Sequence, residues 1–382
     1  MCTEWKTYEL GTLLSYEQPT AYIVESTDYN DNYQTPVLTA GKSFIIGYTN
    51  ETSGIYKSLP VIIFDDFTTS SQYVNFPFKV KSSAMKILSP NTELVLPKFI
   101  YYRMQIIQFD HSTHKRYWIQ QYSKIKVKIP PIPEQERIIC KIEELFSKLD
   151  ASVAELKTAK EKLKVYRQAV LKKAFDSVQA NSKRVTIKSV CETIKVGIVI
   201  KPTQYYVEQG GVFAFRNANV RRNYIEDKDW AMISQEGHQK NLKSQVHIGD
   251  VLIARSGVNL GMAATVPQKY DGYNAIDVVI AVPKKEFILS QYLAQYTNSP
   301  YGLEIVRKNQ HGAAQGHLNV KEYGNLPIFL PNIPEQYSLL KKIESRLSVC
   351  DNIEQTIDTS LQQAEALRQS ILKQAFEGAL AT

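Results

Sequence analysis

Residues 129–175 read IPPIPEQERIICKIEELFSKLDASVAELKTAKEKLKVYRQAVLKKAF, and residues 330–376 read LPNIPEQYSLLKKIESRLSVCDNIEQTIDTSLQQAEALRQSILKQAF. The two stretches align without a gap at an offset of 201 residues. Pro133-Glu134-Gln135 falls on Pro334-Glu335-Gln336, Arg167-Gln168 on Arg368-Gln369, and Ala174-Phe175 on Ala375-Phe376. A repeat of this length is an architectural statement. It makes the chain two units in series, each a variable globular part followed by a long helix.

The helices follow from spacing. In the first copy Ile142, Leu149, Leu156, Leu163 and Val170 recur every seven residues, and Ile138, Leu145, Ala159 and Tyr166 fill the intermediate row, with Ser152 as a lapse. The second copy keeps the register with Ile343, Cys350, Ile357, Ala364 and Ile371. Its intermediate row, Leu339, Arg346, Ile353, Ser360 and Leu367, is more polar. Such a seam predicts two helices of about 42 residues, roughly 60 Å long. Proline suits the first turn, where its missing N–H is no loss, and Glu134 and Glu335 suit the positive end of the helix dipole. Gly378 fits a stop. Two apolar seams in one chain need a partner. The expectation is an antiparallel coiled coil between the copies, holding the globular parts a fixed distance apart. Independent surface helices, or pairing with another chain, are the alternatives.

At 382 residues the chain has room for two or three domains. No apolar run approaches the roughly 18–20 residues of a membrane span, and the start MCTEWKTYELG lacks the apolar stretch of a signal peptide. Cys2, Cys140, Cys191 and Cys350 are scattered without metal spacing, which predicts free thiols in a reducing cytoplasm. The net charge of +8 points weakly to nucleic acid. Its distribution says more, because residues 181–330 hold 18 basic against 12 acidic side chains and so carry most of the excess.

Both variable parts read as α+β, with strand-like runs such as Pro60-Val61-Ile62-Ile63-Phe64 and Val251-Leu252-Ile253-Ala254 between turn signals. They differ in composition: four glycines in the first against twelve in the second. A duplicated scaffold with diverged heads suits recognition of two different things at one spacing. Clusters of basic, amide and hydroxyl side chains mark the candidate reading surfaces. In the first head these are Lys79, Lys81 and Lys86, and the loop His111, His114, Lys115 and Arg116. In the second they are Arg216, Asn217, Asn219, Arg221 and Arg222, then Arg255 and Asn259, then His311, Gln315 and His317. Arg, Lys, Asn and Gln make bidentate contacts to base edges, and Lys, Ser, Thr and exposed amides suit phosphate oxygens.

Several motifs are nearly present. Pro36 to Ser43 mimics a phosphate-binding loop, but Pro36 replaces its first glycine. Asn298-Ser299-Pro300-Tyr301 approaches an amino-methyltransferase tetrapeptide without its second consecutive proline, and no glycine-rich cofactor loop precedes it. The six histidines show no metal spacing, and nothing assembles nucleophile, base and orienter. The expectation is a chain without chemistry of its own.

The twice-used Pro-x-x-Pro-Glu-Gln helix start, the Arg-Gln-x-hydrophobic-Leu-Lys-x-Ala-Phe helix end, and Gly249-Asp250-Val251-Leu252 with Ser256-Gly257 together resemble the specificity subunit of type I restriction–modification systems. The stretch from Tyr22-Ile23-Val24 to Ala84-Met85-Lys86 also resembles one class of target recognition domain in that family. The resemblance implies target recognition domains at 1–130 and 179–330, and conserved helices at 131–178 and 331–382. Each head would bind one half of a bipartite, asymmetric sequence in double-stranded DNA, with the helices as a ruler for the spacer. Two modification subunits would dock on the chain and bring S-adenosylmethionine. Restriction subunits, where present, would bring ATP and Mg. No cofactor or metal is expected on this chain, nor any membrane. The rival readings are a coiled-coil scaffold that binds proteins, and a self-sufficient DNA methyltransferase with a disguised site.

Overall fold

The computed structural model describes residues 4–41, 43–110, 116–179, 182–308 and 317–377, with residues 305–308 described by backbone alone. The chain divides into two compact units that do not follow its linear order. One comprises residues 1–156 with 358–382, and the other residues 157–357. The first long helix runs Ile132–Gln179 and the second Ile333–Phe376. Each unit is therefore built on the start of one helix and the end of the other.

In the first unit a four-stranded antiparallel sheet has the order β2 (Leu14–Glu17), β8 (Met85–Pro90), β5 (Val61–Asp65), β6 (Ser71–Val74). A three-stranded sheet has the order β4 (Ile45–Thr49), β3 (Thr35–Leu38), β7 (Lys79–Val80), with β3 and β7 parallel. A ribbon of β1 (Lys6–Glu9) and β9 (Lys126–Ile129) leads into the first long helix. Strand β5 reads Val-Ile-Ile-Phe because both its faces are covered, and alternate side chains point opposite ways. Ile62 and Phe64 pack towards Phe99, Trp118 and Tyr122 and the helix residues Ile138, Ile142, Ile371 and Leu372. Val61 and Ile63 pack towards Leu38, Phe78 and Val80 of the other layer.

The second unit repeats this plan strand for strand. Its four-stranded sheet is β11 (Cys191–Val196), β17 (Val278–Pro283), β14 (Val251–Ala254), β15 (Ala263–Thr265). Its three-stranded sheet is β13 (Ala231–Ile233), β12 (Val212–Phe215), β16 (Asn274–Ala275), again with one parallel pair, β12 with β16. Its ribbon is β10 (Lys183–Thr186) with β18 (Pro327–Leu330). Val251 and Ile253 face Tyr292, Tyr323, Phe175, Leu339 and Ile343, while Leu252 and Ala254 face Phe215, Val246 and Ala275. The α+β class and the antiparallel helix pairing expected from the repeat are present.

The shared Gln of the helix starts latches each head to its helix. Gln135 is fully buried; its Oε1 accepts the N–H of Leu96 at 2.8 Å, and its Nε2 donates to the carbonyls of Leu94 and Pro130 at 3.0 and 2.8 Å. Gln336, equally buried, accepts from Leu289 and donates to Phe287 and Pro331, each at 2.9 Å. The caps beside it differ. Asn332 and Glu335 form a reciprocal capping box, whereas Pro131 has no side chain for one and Glu134 instead accepts the indole N–H of Trp5 at 3.1 Å.

The helix ends are matched too. In the second unit Arg167 pairs with Asp351 at 2.7 Å and Glu354 at 2.9 Å. In the first unit Arg368 pairs with Asp150 and lies 4.3 Å from the ring centre of Phe146. Arg368 is Arg167 plus 201, and Asp351 is Asp150 plus 201, so the repeat makes the same contact in both directions.

The seam itself needs correction. Ile142, Leu163, Val170, Ile343, Cys350, Ile357, Ala364 and Ile371 are buried, but Leu149 and Leu156 only partly. Of the intermediate row only Ile138 and Leu339 are buried; Ser152, Ala159, Tyr166, Arg346, Ile353 and Leu367 are exposed. Near its head a helix packs on both its partner helix and the sheet layer, which takes a broad apolar face. Farther along, a single row suffices and the second faces water.

Candidate nucleic-acid interface

In the second unit, strands β12 and β14 end, and β17 begins, at one rim of the fold. That places Arg216-Asn217, the turn Arg255 to Asn259, and Asp277 side by side. Asn217 stitches them together: its Oδ1 accepts the N–H of Arg255, its Nδ2 donates to Ser256 Oγ, and its carbonyl accepts from Asn259 Nδ2, each at 2.8 Å. Arg255 pairs with Asp277 at 3.2 Å. Asp277 (φ 54°) and Lys201 (φ 44°) adopt left-handed backbone, as do Asn223 and Asp229 in neighbouring loops. Such conformations are sparsely populated for non-glycine residues and cluster at functional loops.

The expected contact residues divide into three groups. Arg222 and His317 are exposed, and Arg216, Asn217, Arg221 and Arg255 are half-buried on the rim. Arg221 is partnered by Glu226 at 3.6 Å, and Arg216 donates to the carbonyl of Asp229. Asn219 and Asn259 are buried and serve the loops themselves; Asn219 Oδ1 accepts from Arg216 N–H and its Nδ2 donates to the carbonyls of Glu226 and Lys228. They shape the rim rather than form its surface. His311 and Gln315 lie outside the described residues.

In the first unit Lys81 and Arg116 are exposed, while His111, His114 and Lys115 lie outside the described residues. Lys79 and Lys86 are not at the surface as expected. Lys79 is buried against Glu51 at 2.6 Å and donates to the carbonyl of Ser53. Lys86 is fully buried 3.2 Å from Asp66. A buried ammonium needs a carboxylate, and both partners come from distant segments that no local pattern reveals. Asp66 also accepts the N–H of Trp118 at 2.8 Å, and its carbonyl accepts that of Tyr117 at 2.9 Å.

The corresponding position in the second unit is Arg255, whose carbonyl accepts the N–H of Leu318 at 3.0 Å. Leu318 is Tyr117 plus 201. One backbone frame thus carries a buried acid in the first head and a half-buried guanidinium in the second.

Other features absorb the near-motifs. Pro36 lies within β3, so the phosphate-loop mimic begins as a strand. Asn298 is fully buried and bonds both the N–H and the carbonyl of Ala263, which makes it a clasp between β15 and the end of the helix Ser290–Asn298. Among the described residues no three His, Cys, Asp or Glu side chains form a metal cluster, and no helix is long and apolar enough to cross a membrane. Burial raises the carboxyl of Asp250, whose Oδ2 accepts His247 N–H at 2.9 Å, so Gly249-Asp250 fixes the entry to β14. Sequence reasoning took Val258 only as part of the run Arg255 to Asn259 and did not mark Asp277, which Arg255 pairs with. Val258 is 96% exposed on the Ser256-Gly257 turn that sequence did mark.

Comparison with known proteins places this geometry. The chain is 32% identical over 379 residues to the type I restriction enzyme EcoR124I/EcoR124II specificity subunit of Escherichia coli, covering 96% of this chain and 91% of that one. The chain belongs to the type I restriction enzyme specificity subunits. The EcoBI specificity subunit of Escherichia coli is 26% identical over 274 residues, covering 66% of this chain and 58% of the relative. No protein-family model matches the chain. A solved structure described as the structural basis underlying complex assembly and conformational transition of the type I R-M system shares the fold, with a TM-score of 0.70 at 17% identity over 98% of both chains. The paired-helix, two-head plan of this specificity subunit is thus one that a solved structure shares.

Proposed function

We propose that this specificity subunit reads an asymmetric, bipartite DNA sequence. The first head reads one half and the second head the other, and the long helices set the spacer between them. The observation that carries the reading is the contrast at one shared position. Two heads of identical strand topology differ at this place: the first buries Asp66 against Lys86, whereas the second holds Arg255 against Asp277 half-buried on its rim. Symmetric sites go with symmetric readers, so a conserved frame with different rims suits a non-palindromic target. In the second head Arg216, Asn217, Arg222, Arg255 and His317 are the reading residues; in the first, Lys81 and Arg116, with the loop at 111–115.

The subunit contributes recognition and not catalysis. Modification subunits supply S-adenosylmethionine and the methyl transfer, and restriction subunits, where present, supply ATP-driven cleavage. Exposed apolar side chains on the helices, Val165, Tyr166, Val349 and Ile353 in the second unit, support protein docking there. Large exposed apolar groups in a row mark interaction surfaces.

The test is co-expression with the modification subunit and sequencing of methylated adenines in the host DNA. One bipartite motif, lost on deleting this chain, is expected. Replacing residues 1–130 by another head should change one half-site and leave the other. Change in both halves would overturn modular reading. Inserting about one helical turn between residues 150 and 165 should alter the spacer, and an unchanged spacer would remove the ruler.

A further inference from the structure

Val258 is the most exposed large apolar side chain among the described residues, and it stands on the turn between Ser256 and Asn259, both bonded to Asn217 of the second head's rim. It is held there firmly. The N–H of Leu260 closes the turn on the carbonyl of Gly257 at 3.1 Å, and that of Met262 bonds the carbonyl of Asn259 at 2.8 Å. On either side Ser256 and Asn259 are tied to Asn217, and Asn259 is buried. Gly257 supplies the left-handed step (φ 70°) that lifts Val258 outward, and a Cβ at Gly257 would meet nothing within 4 Å, so the turn stands clear of the body. Valine's β-branch restricts χ1, which leaves its two methyl groups in one place. The equivalent hairpin of the first head also lifts an apolar side chain, Phe67, on a turn fixed by Asp65 accepting two backbone N–H groups.

Exposing an aliphatic side chain on a rigid turn contributes nothing to folding. Arg255 starts the same turn, and Arg216 adjoins Asn217, which is bonded to that turn; guanidinium groups suit phosphate and guanine. An apolar tip among such donors matches one feature of the major groove, the C5-methyl group of thymine. Resting on the reading of the heads as DNA readers, we infer that Val258 is a specificity-determining residue that packs on a thymine methyl in the half-site of the second head.

The experiment uses the complex of this chain with its modification subunits and duplexes carrying the motif found by methylome sequencing. Thymines of the second half-site, on both strands, are replaced one at a time by uracil, which removes only the methyl group. One replacement should weaken binding by the intact complex about fourfold, the worth of one buried methyl group. Val258→Ala should weaken binding to the native duplex by a similar factor and abolish the preference for thymine at that position alone. A second half-site without thymine, equal sensitivity of Val258→Ala and intact complexes to every uracil, or unchanged affinity of Val258→Ala would overturn the assignment while leaving the heads as readers. Absence of any bipartite motif would instead strike the reading on which it rests.

Discussion

Gln135 and Gln336, 201 residues apart in sequence, make the same three hydrogen bonds to the same kinds of backbone group. Each ties a long helix to the segment that precedes the head's own helix. An amide is the one side chain that accepts from an N–H and donates to two carbonyls at once.

Gln135→Ala or Gln336→Ala therefore leaves three buried backbone groups unpaired and should cost about 2–4 kcal/mol. Glutamate should be no remedy, because a carboxylate turns towards two carbonyls it cannot donate to. Urea denaturation of each variant measures the loss; a change under 1 kcal/mol would show that water replaces the latch.

Lys86→Met should destabilise the first unit by about 3–5 kcal/mol, because Asp66 is left as a buried charge without its partner. Asp66→Asn with Lys86→Met should recover much of that, since the amide oxygen still accepts the N–H of Trp118. The second head, with its own core, should keep its stability. Hydrogen exchange resolved by segment reads both.

The reciprocal pairs Arg167–Asp351 and Arg368–Asp150 should matter less than their symmetry suggests. Asp351 and Asp150 are largely exposed, and exposed pairs couple by roughly 0.2–1 kcal/mol. A double-mutant cycle on Arg167 and Asp351 should return a value in that range that shrinks with salt. Arg368 should cost more on truncation than its ion pair, because its guanidinium also covers the ring of Phe146.

Thiol labelling tests the cores directly. Cys140 is exposed, whereas Cys191 and Cys350 are buried. Burial pushes the Cys191 thiol up to about 12. A raised thiol value means that at pH 8 almost none is thiolate in the folded state, while the unfolded chain, near its ordinary value, holds an appreciable fraction. Iodoacetamide at pH 8 should label Cys140 quickly and Cys191 only on unfolding, as followed by mass spectrometry of the peptides. Fast native labelling of Cys191 would mean that the sheet layer opens readily.

The duplicated helix, its heptad row and its repeated ends were legible in the residues alone, because helical periodicity and an ungapped repeat are properties of local order. So were the α+β class of the heads and the loops that carry Arg216, Arg255 and their neighbours. Other features were set only by tertiary structure. Lys79 and Lys86 look like surface lysines until Glu51 and Asp66 are brought against them from other segments. Asn219 and Asn259 look like readers until the loops fold back on their amides. The second heptad row looks buried until the helices turn it to water. Charge pairing, amide satisfaction and burial depend on what arrives from elsewhere in the chain, and a sequence states only what each residue is able to offer.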